Sequence, residues 1–392
     1  MEEQKKREEE AVARPRSHGF PCGSCGNRMV FSPEKAALSC PYCGGTEEIA
    51  SETLVAAEYL FDPEAEVSDA PRWDAEGELS HVCPACGAET VSEAESMTVT
   101  CPFCGSHYVT EPHPALPILR PETMIPHKLS RERANELFVK WAKRRYFAPR
   151  AFRRAAHKPE MQGIYLPYFT YDSDMATSFS GQGGRRRIVT YTVRVNGKTQ
   201  TRTRTVIDWY PVSGGREMYL DDTPFCASCH VDERMLTKLG PFSTKTLNTY
   251  HPAYLAGFSA ERYTIGLSDG FSRVKGGMEK RMENAIESSL GYDTYRGMQY
   301  RHTHRRVTFK HILLPVWLSS YRFAGKLYRF MVNGETGRVA GQAPVSPLKV
   351  ALAVLAGLLL AALLFFLIAM VGESGAALLA TPADLAPALP PA

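Results

Sequence analysis

The chain has no Gly-x-x-x-x-Gly-Lys-Ser/Thr run. Its Gly-Lys-Thr at 197–199 has Thr192 where the first glycine of a phosphate loop would stand, so a nucleotide hydrolase of that class is excluded. "SGQGGR" (180–185) fails the dinucleotide pattern as well. The opening "MEEQKKREEEAVARPRSHG" has no apolar stretch, so no secretory signal is expected and residues 1–18 read as a charged tail. Beyond Val371 there is neither Lys nor Arg. No catalytic residue can be assigned from these patterns, and the reading leans away from an enzyme.

The net charge of +4 hides an uneven distribution. Residues 1–119 hold 8 Lys and Arg against 21 Asp and Glu, a net −13, and residues 120–392 hold 38 against 21, a net +17. An acidic front joined to a basic body is a statement about partners. Val350–Val371 is a run of 22 residues with no charge and no proline. As a helix it is about 33 Å long, enough to cross a hydrocarbon core of roughly 30 Å. Lys326, Arg329, Arg338 and Lys349 precede it, and Glu373 and Asp384 follow. The positive-inside rule then places the N-terminal bulk in the cytoplasm, in a single-pass, tail-anchored topology at the inner membrane.

The cysteines carry the most specific pattern. Cys22, Cys25, Cys40 and Cys43 recur as Cys83, Cys86, Cys101 and Cys104, with 14 residues between the pairs in each set and a repeat distance of 61. A two-residue gap lets one tight turn aim two thiolates at the same ion, as tetrahedral zinc requires. Glycine follows the second cysteine of every pair (Gly26, Gly44, Gly87, Gly105) and proline follows the first in three of the four. The expectation is two tandem zinc ribbons, each closing a four-thiolate structural site, hence two zinc ions per chain. Disulfides suit an oxidising compartment instead. A front at −13 repels phosphate, so docking of a cytoplasmic protein is expected of the ribbons before nucleic-acid binding.

In the basic body, "SRERANELFVKWAKRRYFAP" (130–149) reads as an amphipathic helix, capped by Ser130 and striped by Leu137, Phe138 and Trp141. Residues 120–160 hold 12 Lys and Arg against 4 acids, which suits an anionic partner or lipid surface as well as plain solvation. Asn196-Gly197 between alternating runs signals a hairpin. Beyond it Lys198, Gln200, Arg202 and Arg204 share one face and Thr199, Thr201, Thr203 and Thr205 the other. Lys198, Arg202 and Arg204 are the candidate contacts to anionic lipid or nucleic acid. A helix over 276–291 precedes a second strand group, and "ILLPVWLSSYRF" there echoes "GIYLPYFTYDSD", as two halves of one curved sheet would. His302 and His304 alternate onto one strand face, either as surface histidines or as metal ligands with His311. Cys226-Ala-Ser-Cys229-His230 fits haem attachment, but the expected cytoplasmic side forbids that. The pair reads as fortuitous or weakly redox-active.

Taken together, "CPYCG", "CPFCG", "GIYLPYFTYD", "VNGKTQTRTRT", "YLAGFSAERY" and "FKHILLPVWLSSYRFAGKLYRFMVNGETG", ending in an apolar span, resemble a bacterial group of zinc-ribbon, membrane-anchored proteins whose role is not established. Members often carry the label primosomal protein N' (replication factor Y) or helicase-like protein. The resemblance spans most of residues 20–371 and implies zinc at the cysteine sets. It transfers no other site, and the missing nucleotide motifs speak against helicase activity. Paired cysteines at "CASCH" and so long a two-ribbon front depart from the group.

The expected fold is therefore α+β, divided as a charged tail (1–18), zinc ribbon 1 (19–50), linker (51–79), zinc ribbon 2 (80–112), a basic antiparallel-sheet-rich α+β domain (113–347), a transmembrane helix (348–371) and an Ala/Pro-rich tail (372–392). The function expected is a membrane-tethered adaptor. The alternative is a membrane-associated nucleic-acid-binding protein related to replication.

Overall fold

The computed structural model describes residues 19–50, 57–62, 67–68, 72–73, 79–92, 98–109, 113–114, 118–155, 160–195, 197–244 and 247–377. The charged tail, much of the linker, Asn196 and the chain from residue 378 onward lie outside the described residues. The fold is mixed α+β: a large, mostly antiparallel sheet, two four-cysteine groups and one long apolar C-terminal helix. The chain divides into two compact units, residues 1–140 with 158–342 and residues 141–157 with 343–392.

In chain order the strands are β1 (Val30–Ser32), β2 (Ala37–Ser39), β3 (Thr46–Glu48), β4 (Tyr59–Asp62), β5 (Val67–Ser68), β6 (Arg72–Trp73), β7 (Leu79–Val82), β8 (Glu89–Ser92), β9 (Thr98–Thr100), β10 (His107–Val109), β11 (His113–Pro114), β12 (Ile118–Leu119), β13 (Thr123–Met124), β14 (Gln162–Val195), β15 (Lys198–Cys226), β16 (Asn248–Thr249), β17 (Ser259–Glu261), β18 (Thr294–Phe323), β19 (Lys326–Asn333) and β20 (Val339–Gly341). The helices are α1 (Arg131–Lys143), α2 (Arg150–Ala155), α3 (Glu233–Leu239), α4 (Leu267–Leu290) and α5 (Pro347–Ala377).

Three strands of 34, 29 and 30 residues, β14, β15 and β18, make most of the sheet of the first unit. β14 lies between the other two and is antiparallel to both. The two echoing Leu-Pro runs are partners: Leu166 faces Leu314, Pro167 faces Leu313 and Tyr165 faces Pro315. A proline gives up a ladder donor, but both carbonyls still accept. Ala227 N–H bonds Pro167 O and Gly334 N–H bonds Pro315 O, each at 2.9 Å.

Alternation sends the two faces of this sheet into different cores. Ile164, Leu166, Ile312, Leu314, Val316 and Leu318 enter one cluster, shared with α3 and the second cysteine set. Phe169, Tyr171, Val307 and Phe309 enter another, closed by Phe271, Met278, Met282 and Ile286 of α4. Those four recur at near-helical spacing, giving α4 its apolar stripe. α4 begins at Leu267, nine residues before the start expected at Gly276. A glycine pair read as a boundary is carried inside the helix, because tertiary packing outweighs the ~1 kcal/mol per glycine. α1 follows the Ser130 cap and ends at Lys143, before Pro149, and its Phe138 packs on Phe330 with ring centroids 4.6 Å apart.

His127 makes a pH prediction possible. It is buried, stacked on Phe258 at 4.4 Å and edged by Trp317 and Tyr165 at 5.0 Å. Burial pushes its pKa down to about 3 from 6.5. The unfolded chain therefore takes up a proton below pH 6.5 that the folded chain refuses, so this stabilisation is whole above 6.5 and falls as pH drops toward 3. Between pH 7 and pH 5 the loss is about 2 kcal/mol from this residue. Urea unfolding at the two pH values should show a loss about 2 kcal/mol larger in the wild type than in His127→Phe, where buried His311 still contributes its own. Equal losses in both would refute it.

In the second unit, α5 is long and apolar enough over Pro347–Leu367 to cross a membrane by length and composition, and its apolar window is 0% buried. The helix continues to Ala377, past the expected end at 371, because no proline intervenes before Pro382. At its start Lys349 Nζ donates to the carbonyls of Tyr146 and Ala148, at 3.0 and 2.6 Å, and Ser346 N–H donates to Phe147 O at 2.8 Å. Exposed Tyr146 and Phe147 flank this turn, with Arg144, Arg145, Arg150, Arg153 and Arg154 along the same segment.

Candidate metal centres

All four Cys-x-x-Cys turns have one backbone geometry. Gly26 N–H donates to Cys22 O at 2.8 Å and Cys22 N–H donates to Asn27 O at 2.7 Å, and the same two bonds recur at 40–45, 83–88 and 101–106. The glycines hold φ of +71°, +76°, +76° and +69°, a region costly for other residues. Gly105 has a second reason, since a Cβ there would stand 2.5 Å from Ser320 Oγ.

The turns bring the thiols together. Sulfur separations are 3.5 Å for Cys22–Cys43 and 3.6 Å for Cys25–Cys40, Cys83–Cys104 and Cys86–Cys101. Four sulfurs ~2.3 Å from a central ion stand ~3.8 Å apart, whereas a disulfide closes to ~2.05 Å. All eight thiols are free, and each set of four forms a group that could hold a metal ion. In the first set, N–H groups of Ser24 and Cys25 and the Cys43 side chain draw the Cys22 thiol down to about 6, suiting it to serve as a thiolate. In the second set, burial raises the Cys86 thiol to about 11, a cost that a bound cation offsets.

The two centres sit differently. The first belongs to a three-stranded sheet, β1-β2-β3, and leaves Cys25 and Cys43 exposed. It docks through Phe31, which meets Tyr254 at 5.1 Å and Phe258 at 6.1 Å and whose N–H donates to Ala256 O at 2.9 Å. The second is no free-standing ribbon at 80–112. β8 pairs with β17, which pairs with β14, so its first knuckle grows out of the main sheet. Cys83 and Cys101 are 1% exposed and Phe103 is 0% exposed, all within the core cluster of β14 and β18.

The Cys226–His230 motif finds its place here. Ser228 Oγ and His230 Nδ1 both bond Glu261 Oε1 at 2.8 Å, and His230 Nε2 lies 3.2 Å from Cys86 O. Both ring nitrogens are engaged, Nδ1 by Glu261 and Nε2 by the Cys86 carbonyl, and the Glu261 bond raises the His230 pKa. Arg329 completes the brace, with Nε donating to Phe103 O at 2.9 Å and Nη1 to His230 O at 3.1 Å. With both nitrogens engaged, His230 has no lone pair for haem iron. Burial pushes the Cys226 thiol up to about 12, which disfavours thiolate chemistry. His230, Glu261 and Arg329 thus form a mount for the second centre. Sequence reading missed it because its members come from three distant stretches.

The histidines separate. His302 and His304 are not surface residues, and His311 does not join them. His302 Nδ1 pairs with Thr177 Oγ1 at 2.9 Å and His304 Nδ1 with Ser173 Oγ at 3.1 Å. Their Nε2 atoms face Glu283 and Glu279 of α4 at 3.4 and 3.7 Å. His311 instead meets Leu119 O at 3.0 Å. Four residues of helix rise ~6 Å and two of strand ~6.7 Å, so these rungs, with Tyr300 on Glu287, zip α4 to β18. A third group that could hold an ion, this one acidic, is Asp172, Asp221 and Asp222, and it already has a cation. Lys310 Nζ lies 2.9 Å from Asp222 and 3.1 Å from Glu58.

Lys198, Arg202 and Arg204 lie on a projecting arm. β14 leaves β18 after the Gly184–Thr294 pair, and from Arg185 to Val195 it pairs with β15 alone. Pairing of Val195 with Lys198, Tyr191 with Arg202 and Val189 with Arg204 puts all three cations on one face, with Arg185 and Arg187. The arm extends about 36 Å. Residues 185–208 hold seven Lys and Arg against one Asp, a net +6.

No family model matches the chain, and no solved structure matches it. It is 29% identical over 337 residues to the uncharacterized protein YdjG of Bacillus subtilis (strain 168), covering 85% of this chain and 92% of that protein. That likeness brings no primosomal connection with it.

Proposed function

We propose that the chain is a membrane-tethered zinc-ribbon adaptor that acts by binding. Two structural zinc ions at the four-cysteine centres brace the sheet, and α5 anchors it in the cytoplasmic membrane. The arginines and aromatics at 141–154 lie at the inner interface, as positive-inside and aromatic-belt preferences favour. The bulk faces the cytoplasm. There the hairpin arm at 185–208 holds an acidic surface of a partner protein.

The observation that carries this reading is the arm itself. Eleven residues of β14 run on beyond the last rung with β18, rich in cations and exposed over most of Arg185–Arg194. A strand pair that buries nothing adds little to stability, so its charge points to a partner. The front ribbons are docked on the sheet, which leaves the arm as the presenting element. Nucleic acid is the competing occupant, since Arg204 lies 5.7 Å over the Tyr191 ring and cations interleaved with an aromatic suit it also.

In-cell crosslinking of the full chain, followed by identification of what is attached to the arm, separates the two. Recovery of one or two acidic proteins is expected. Arg202→Glu with Arg204→Glu should cut that capture roughly tenfold or more, and most at low salt. Nucleic acid recovered at the arm would overturn the adaptor reading.

A further inference from the structure

The loop that mounts the second metal centre also walls a cavity of about 700 Å³, and Cys226, Cys229 and Val231 line it. The cavity opens at the end of β15, an edge strand, where the two cores come round the sheet to meet. Tyr168 and Leu314 come from one side, Phe225 and Val274 from the other, with Leu236 of α3 and Phe242 over the gap. Leu236, Phe242 and Val274 are only partly buried. This is the size of a small-molecule site, roughly 300–1,000 Å³, with the mainly apolar walls such sites show. Water held there gives up hydrogen bonds, and an apolar ligand would displace it.

The charges are asymmetric. Asp222 is taken by Lys310 at 2.9 Å. Glu233 is exposed in the first turn of α3, where a carboxylate suits the helix end. Arg273 remains. It is exposed too, but its guanidinium stands 5.9 Å over the Phe225 ring of the same wall and has no ion-pair partner among the described residues. An apolar slot with one uncommitted guanidinium fits a molecule with a long apolar body and one anionic end, and α5 is long and apolar enough to hold the chain where such molecules are concentrated. We propose that this cavity takes an acyl chain whose anionic head rests on Arg273. The head belongs either to a free long-chain carboxylate or to an acidic single-chain lipid. The inference is independent of the hairpin arm.

The test uses the full-length chain in nanodiscs and a fatty acid carrying a photoreactive diazirine on its chain. Label is expected on peptides within 224–242. Arg273→Glu should lower it roughly tenfold, the effect of losing one charge-assisted contact. Leu236→Trp, which fills the slot, should lower it as far, and Val274→Trp serves if Leu236→Trp unfolds earlier in urea than the wild type. Competition by oleate identifies a free carboxylate, and competition by lysophosphatidylglycerol alone identifies a membrane lipid; either supports the site. Label confined to α5, or label at 224–242 unchanged by a well-folded cavity-filling variant, overturns it. Equal competition by neutral monoolein, with no effect of Arg273→Glu, overturns the anionic head.

Discussion

Cys101→Ala should destroy the fold of the first unit, whereas Cys25→Ala should leave it standing with one metal ion. The difference follows from where the two centres sit. Zinc at a small structural site is worth ~10–16 kcal/mol in isolated peptides, and a whole domain is net stable by roughly 5–15 kcal/mol. Losing a centre that shares the main core therefore removes as much as the whole margin. Cys101 is 1% exposed among Ile164, Leu166, Ile312 and Leu314, so the thiols left behind would sit in the core with no ion to hold them together. Cys25 is exposed, on a ribbon that rests on the sheet through Phe31, Phe20, Val30 and a backbone bond from Phe31 to Ala256. Metal analysis should read two ions per wild-type chain and one for Cys25→Ala. Cys101→Ala should be proteolysed or recovered aggregated. A soluble Cys101→Ala chain with wild-type urea behaviour would show that the second centre is not structural.

How much of this could be read from residue order depends on distance along the chain. The thiols were legible because each set of four falls into two pairs three positions apart and every turn carries its own glycine. The span was legible as an uncharged run. The cationic face of the arm followed from strict alternation after Gly197. What could not be read has partners far away in sequence. Arg329 reaches Phe103 across 226 positions and His230 across 99, and neither end carries a local mark. His302 and His304 looked like exposed residues among arginines because the carboxylates they face lie on α4. The second ribbon looked detachable because its knuckles repeat those of the first, while the strand that welds it to the sheet, β17, is only three residues long. Repetition revealed the metal chemistry and concealed the architecture.

The same weld supplies the second large effect, at a residue that is no metal ligand. Glu261→Ala should cost about 3–5 kcal/mol, the range for breaking a buried ion pair by removing one member. Glu261 is 2% exposed and takes both the Ser228 hydroxyl and the His230 ring on one oxygen. Its removal leaves the His230 ring and the Ser228 hydroxyl without the acceptor they share, and opens a gap in β17. The loop at 226–231 then loses its grip on the knuckle, so metal should leave the second centre faster while the first keeps its rate. Glu261→Gln separates charge from shape. An amide can still accept from Ser228 and His230 but gives up the ion pair, so its loss should fall between wild type and Ala. Urea unfolding gives the first quantity, and chelator competition against the Cys25→Ala background, where only the second centre remains, gives the second. A loss below about 1 kcal/mol would put the His230–Glu261 contact in the class of exposed pairs. Unchanged metal release would mean that the knuckle is held by Arg329 and the Phe103 core alone.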